Sequence, residues 1–158
     1  MKLTRRGRRA AVAAVMVVVA VGAVIGWRVA THDPLVRSAD PCSERPPLVT
    51  WRGVTLQPVA MRAFRKAVRL APSPVLVVQS YRSCRQQAEA CRSICGDPSG
   101  CPGRCASPGT SYHQLGAAVD LSQRSLDSPG VIQAMEEAGW CQSEPASDPG
   151  HFSFDGCH

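Results

Sequence analysis

Two histidines and two aspartates stand at spacings that suit chemistry. In SYHQLGAAVDLS, residues 111 to 122, His113 precedes Asp120 by seven positions, with Gly116 and two alanines between them. In SDPGHFSFDGCH, residues 147 to 158, Asp148 stands three positions before His151, across a Pro-Gly pair. The pattern admits a metal site, an acid–base pair, or unrelated residues of a small domain. Catalytic zinc takes three protein ligands and keeps a fourth position for water. His113, Asp120 and His151 make such a set. Asp148, next to the metal without binding it, would suit a general base for the bound water. A solitary histidine is more often structural, and His32 and His158 are not expected to be ligands.

Local elements must hold these residues together. A turn at Gly116 running into a strand, GAAVDLS, would bring His113 and Asp120 to one point. HFSF reads as a second strand, with His151 and Ser153 on one face and Phe152 and Phe154 on the other. LQPVAMRAFRKAVRLA predicts a helix from about 57 to 71, with Pro58 in its first turn. Val59, Ala63, Phe64, Ala67, Val68 and Ala71 form its apolar stripe. Arg62, Arg65, Lys66 and Arg69 read as its solvated face. PVLVVQS, 74 to 80, reads as a buried strand. YRSCRQQAEACRSI predicts a helix capped by Ser83, followed by an irregular loop over 96–110. SPGVIQAMEEAGW carries a Ser-Pro start, a Gly139 stop and buried Val131, Met135 and Ala138. Trp140 reads as core, and Glu136 and Glu137 as solvated. Strands and helices interleave without a βαβ rhythm or an internal repeat. The expected class is α+β, a small mainly antiparallel sheet flanked by helices.

The chain has 158 residues and a formal charge of +6. Lys2, Arg5, Arg6, Arg8, Arg9 and Arg28 are six of its 18 basic residues, so twelve basic residues remain from position 29 onward, against twelve acidic ones. The excess is therefore a topology signal and not a nucleic-acid footprint. Residues 1–9 read as a cytoplasmic basic tail. Residues 10–28 read as a transmembrane signal anchor, because a run of about 18 to 20 apolar residues spans the hydrocarbon core. Residues 29–47 read as a tether, and 48–158 as an extracytoplasmic domain, here expected to be monomeric. The rival is a cleaved signal peptide, which would leave the domain secreted. All eight cysteines lie beyond the anchor. Their even number in an exported domain implies disulfides. Cys91, Cys95, Cys101 and Cys105 are open to a structural zinc or to two nested bridges, Cys91–Cys105 and Cys95–Cys101. The oxidising compartment favours bridges; eight cysteines allow 105 pairings, so the connectivity stays open, with Cys42–Cys84 and Cys141–Cys157 as hypotheses for the other four.

Four segments in order, SYRSCRQQ, SYHQLGAAVDLS, AMEEAGW and DPGHFSF, resemble the D-alanyl-D-alanine carboxypeptidases related to the vancomycin-resistance enzymes, the peptidase M15 family. The resemblance covers residues from about 56 to 155, nearly the whole outer domain. It implies the fold shared by these peptidases and Hedgehog signalling domains. It implies Zn²⁺ held by His113, Asp120 and His151, with Asp148 as the general base. It implies that Arg82 stabilises the polarised carbonyl oxygen, and that Ser111, Gln87 and Tyr81 contact the substrate. The implied substrate is the peptidoglycan stem peptide, cut at or near its D-alanine end; the alternatives are a peptidoglycan endopeptidase, or a non-catalytic zinc-containing wall-binding module of the same fold. Two positions depart from the family's pattern. Asp148 stands where the pattern has Glu, and Gly150 where it has Trp.

Overall fold

The computed structural model describes residues 34–37 and 42–156. The expected basic tail, the signal anchor and positions 29–33 and 38–41 of the tether lie outside them. Among the described residues, no helix is long and apolar enough to cross a membrane.

The domain opens with a hairpin of β1 (Val49–Trp51) and β2 (Val54–Leu56). Arg52 and Gly53 both take positive φ at its tip, which is what a two-residue turn needs to match the strand twist. Arg-Gly is not the usual Asn-Gly signal, so this hairpin was not expected from sequence. Helix α1 (Pro58–Leu70) follows, with proline in its first turn. Its buried residues are Ala60, Met61, Phe64 and Ala67. The buried stripe is thus rotated from the expected one, and Val59, Ala63 and Val68 are only half-buried. Arg62, Arg65, Lys66 and Arg69 are exposed, as read from the sequence.

Strand β3 (Val77–Gln79) lies at the edge of the main sheet, and Val78 is 68% exposed. The apolar run that suggests a buried strand therefore forms an edge. Helix α2 (Cys84–Cys95) starts at a capping box: the Ser83 hydroxyl accepts from Gln86 N at 3.3 Å, and the Gln86 side chain accepts from Ser83 N at 2.8 Å. Strand β4 (Ala118–Leu121) leads into a short unforeseen helix, α3 (Gln123–Leu126), capped by Ser122. Helix α4 (Val131–Glu137) starts after Gly130, not at Ser128, whose hydroxyl instead donates to Arg124 O at 2.7 Å. It stops before Gly139, at φ +92. Strands β5 (Trp140–Cys141) and β6 (His151–Phe154) complete an antiparallel sheet of order β3-β4-β6-β5.

The core lies between this sheet, the hairpin and helices α1 and α4. Phe64, Trp140, Phe152, Leu56, Met135 and Val119 are its largest fully buried apolar side chains. Phe64 meets Trp140 edge-on, with ring centroids 6.2 Å apart. The architecture is the expected α+β one. Bridges join Cys42 to Cys84, Cys91 to Cys105 and Cys95 to Cys101. The four cysteines of the insert are consumed by two disulfides, which leaves no thiolate there for a zinc. Cys141 is also disulfide-bonded; its expected partner, Cys157, lies outside the described residues. The packed unit reaches back to Leu35, earlier than the expected start near Leu48. Val36 and Cys42, expected in the tether, are bound to the domain.

Candidate functional site

The register of β4 and β6 pairs Asp120 with His151, placing both on the sheet. His113 arrives from the loop before β4. That loop turns at Gly116, whose φ is +66 and whose N–H donates to His113 O at 3.1 Å. A β-carbon at Gly116 would lie 2.7 Å from Leu48 Cδ2 and 3.0 Å from Gln57 N, so glycine is needed for space as well as for its dihedral.

The three side chains converge. His113 Nδ1 lies 2.7 Å from the Ser80 carbonyl. A carbonyl only accepts, so Nδ1 carries the proton, and Nε2 of the neutral ring presents its lone pair inward. Nε2 stands 3.1 Å from Asp120 Oδ1, and His151 Nδ1 stands 3.0 Å from the same oxygen. The three ligand atoms lie within 4.8 Å of one another. In this tautomer, His113 Nε2 and the carboxylate are two acceptors facing each other. Only a positive charge makes that contact favourable, supplied by a proton on the ring or by a cation between the groups. Two imidazole nitrogens and one carboxylate, with a neighbouring carbonyl fixing one ring, fit zinc with an open fourth position.

The surrounding charges agree. Burial alone would raise the Asp120 pKa, but the hydrogen bonds and charge of His113 and His151 outweigh it and hold the carboxylate well below its usual range. Arg82 stands 3.9 Å from Asp120 Oδ2, with its side chain 12% exposed. Burial lowers its pKa, while Asp120 and Asp148 pull the other way. Its Nε is buried and without a hydrogen-bond partner. A buried cation with an unused donor is suited to an oxygen that gains negative charge.

A cleft of about 550 Å³ opens over the centre. Arg82, Gln87, Ser111, His113, Asp148 and His151 all line it. Ser111 is buried, and its hydroxyl accepts from His113 N at 3.3 Å. Asp148 is exposed on the β5–β6 loop, its backbone carbonyl accepting from His151 N at 3.1 Å. Gln87 is buried; its Nε2 donates to Ala106 O at 2.7 Å, and its Oε1 has no partner. The same amide lies against the sulfurs of Cys91 and Cys105, so the cysteine insert forms one wall of the cleft. Tyr81 stands elsewhere. It lines a second hollow with Trp51 and Phe64, and its N–H donates to Thr55 O. Ser80, whose carbonyl fixes the His113 tautomer, carried no sequence signal, because a backbone acceptor can come from any residue. Gln57 was missed too: a glutamine at a helix start looks ordinary until its burial is known.

The fold and the centre together define a small α+β domain with a His-Asp-His site at the floor of an open cleft. Comparison with known proteins gives the same fold. No protein-family model and no curated protein matches the chain. Solved structures do. The vancomycin-resistance D,D-pentapeptidase VanY of the VanB-type cassette, in complex with Zn(II), matches with TM-score 0.57 and 19% identity, over 77% of this chain and 86% of its own. VanYB in complex with D-alanine-D-alanine matches with TM-score 0.53 and 20% identity, over 68% of this chain and 76% of its own. The vancomycin-resistance D,D-dipeptidase VanXYg, in complex with a D-Ala-D-Ala phosphinate analogue, matches with TM-score 0.50 and 18% identity, over 78% of this chain and 62% of its own. The chain has the fold of these D,D-peptidases.

Proposed function

We propose that this chain is a zinc D,D-carboxypeptidase that hydrolyses the D-alanine end of peptidoglycan stem peptides. The observation that carries the reading is the convergence of His113 Nε2, Asp120 and His151 Nδ1 in one cleft with Arg82 and Asp148. A bound Zn²⁺ would polarise the scissile carbonyl and lower the pKa of water. His113, Asp120 and His151 would hold the ion, and the Ser80 carbonyl keeps His113 in the right tautomer. Asp148 takes the proton from the attacking water and later returns it to the leaving amine. Arg82 steadies the oxygen on which charge develops. Ser111 and Gln87, both lining the cleft, are the candidate polar contacts to the peptide. The disulfides suit an oxidising compartment, which fits a domain held outside the membrane by the apolar segment at 10–28.

The test is D-alanine release from a muramyl pentapeptide ending in D-Ala-D-Ala, using oxidised, zinc-loaded protein. Release abolished by a chelator and restored by zinc is expected. No release from protein holding one zinc per chain would overturn the proposal.

A further inference from the structure

We infer that the described residues before the hairpin, at 35–37 and Cys42, form a positioning strap for the metal centre, and that Gln57 is its lock. The inference rests on the metal-centre reading above. Gln57 is 1% exposed, at the start of α1. Its Oε1 accepts from Val36 N at 2.8 Å, and its Nε2 donates to Val36 O at 2.9 Å and to Leu115 O at 2.7 Å. Its backbone N–H donates to Gly116 O at 2.8 Å. One residue therefore joins the strap to the turn that delivers His113. Arg37 pairs with Asp155 at 3.4 Å and lies over the Tyr112 ring, 5.8 Å from its centroid. Tyr112 adjoins His113, and Asp155 directly follows the strand carrying His151. Cys42 is bridged to Cys84, two residues beyond Arg82. The strap thus touches the chain beside His113, His151 and Arg82. A buried amide satisfied at both ends fixes geometry more than it adds contact area. Groups that orient metal ligands without binding the ion change metal affinity about 10- to 100-fold.

The test uses the full chain in detergent, with zinc affinity read by competition against a chromophoric chelator. The Co(II) ligand-field spectrum and the unfolding midpoint of the metal-free protein are measured alongside. Val36→Pro removes the strap N–H without touching the core; Arg37→Ala removes the outer contact; Gln57→Ala removes the lock. Val36→Pro and Gln57→Ala are expected to weaken zinc binding about 10- to 100-fold and to shift the Co(II) bands, with Arg37→Ala moving the same way by less. Should Gln57→Ala fail to fold, the other two variants decide. Folded Val36→Pro and Arg37→Ala proteins with wild-type zinc affinity and Co(II) spectrum would overturn the inference and leave the metal centre standing. A wild-type chain that binds no zinc would overturn both.

Discussion

Replacing Asp120 by Asn is the most informative single change at the centre. The carboxylate is the only charged donor of the three, and its Oδ1 is shared by both imidazoles at 3.0 and 3.1 Å. Zinc sites with four protein ligands bind with about 10–16 kcal/mol at neutral pH, or roughly 3 kcal/mol per ligand. Losing one ligand should therefore weaken zinc binding by at least about 10²-fold. The change also leaves Arg82, 3.9 Å from Oδ2, without its counter-charge beside the ion, which acts in the same direction. Chelator competition near neutral pH measures the loss, with Arg69→Ala, on the exposed face of α1, as a control that should stay at the wild-type value. The metal-free protein gives a second readout. The Asp120 pKa is lower folded than unfolded, so its stabilisation is complete above about pH 4 and fades as acid titrates the folded carboxylate. Wild type should therefore approach Asp120→Asn in stability as pH falls below about 4. A zinc affinity in Asp120→Asn within threefold of wild type (about 0.6 kcal/mol) would refute the three-ligand geometry.

Asp148→Ala should keep its zinc and lose about 10²- to 10⁴-fold in D-alanine release; surviving activity would show that the base is another group. Gly116→Ala should lower stability by about 1–3 kcal/mol, from the left-handed dihedral and the clash with Leu48 and Gln57, and should weaken zinc binding as His113 moves. Urea unfolding reads the first effect and chelator competition the second. Full reduction of the oxidised protein should add eight hydrogens to its intact mass, one for each of the eight cysteines; an unchanged mass would disprove the bridged state.

The site was more legible in the sequence than the fold around it. His113, Asp120 and His151 could be singled out because metal ligands come from few residue types, but spacing alone is a weak signal, and the resemblance to the M15 peptidases carried the choice. The helix carrying Phe64 was equally clear, but its buried side was not, because Val59 and Ala60 are both apolar and only packing against Trp140 and Leu56 chooses between them. The hairpin at Arg52 and Gly53 was hidden by an uncommon turn pair. PVLVVQS looked internal because its composition reports apolarity and says nothing of position in the sheet. Gln57 shows a further limit. A side chain that bonds Val36, 21 residues earlier, and Leu115, 58 residues later, leaves no periodic trace. Three of the four suggested bridges are present, Cys42–Cys84, Cys91–Cys105 and Cys95–Cys101, but the sequence does not select them, because eight cysteines allow 105 pairings.

The most direct test of the whole account is zinc-edge anomalous diffraction from crystals of the metal-loaded protein. The account predicts a single strong peak about 2.0–2.2 Å from His113 Nε2, an Asp120 oxygen and His151 Nδ1, facing the cleft shared by Arg82 and Asp148. A peak on other residues, or bonded to His113 through Nδ1, would contradict it.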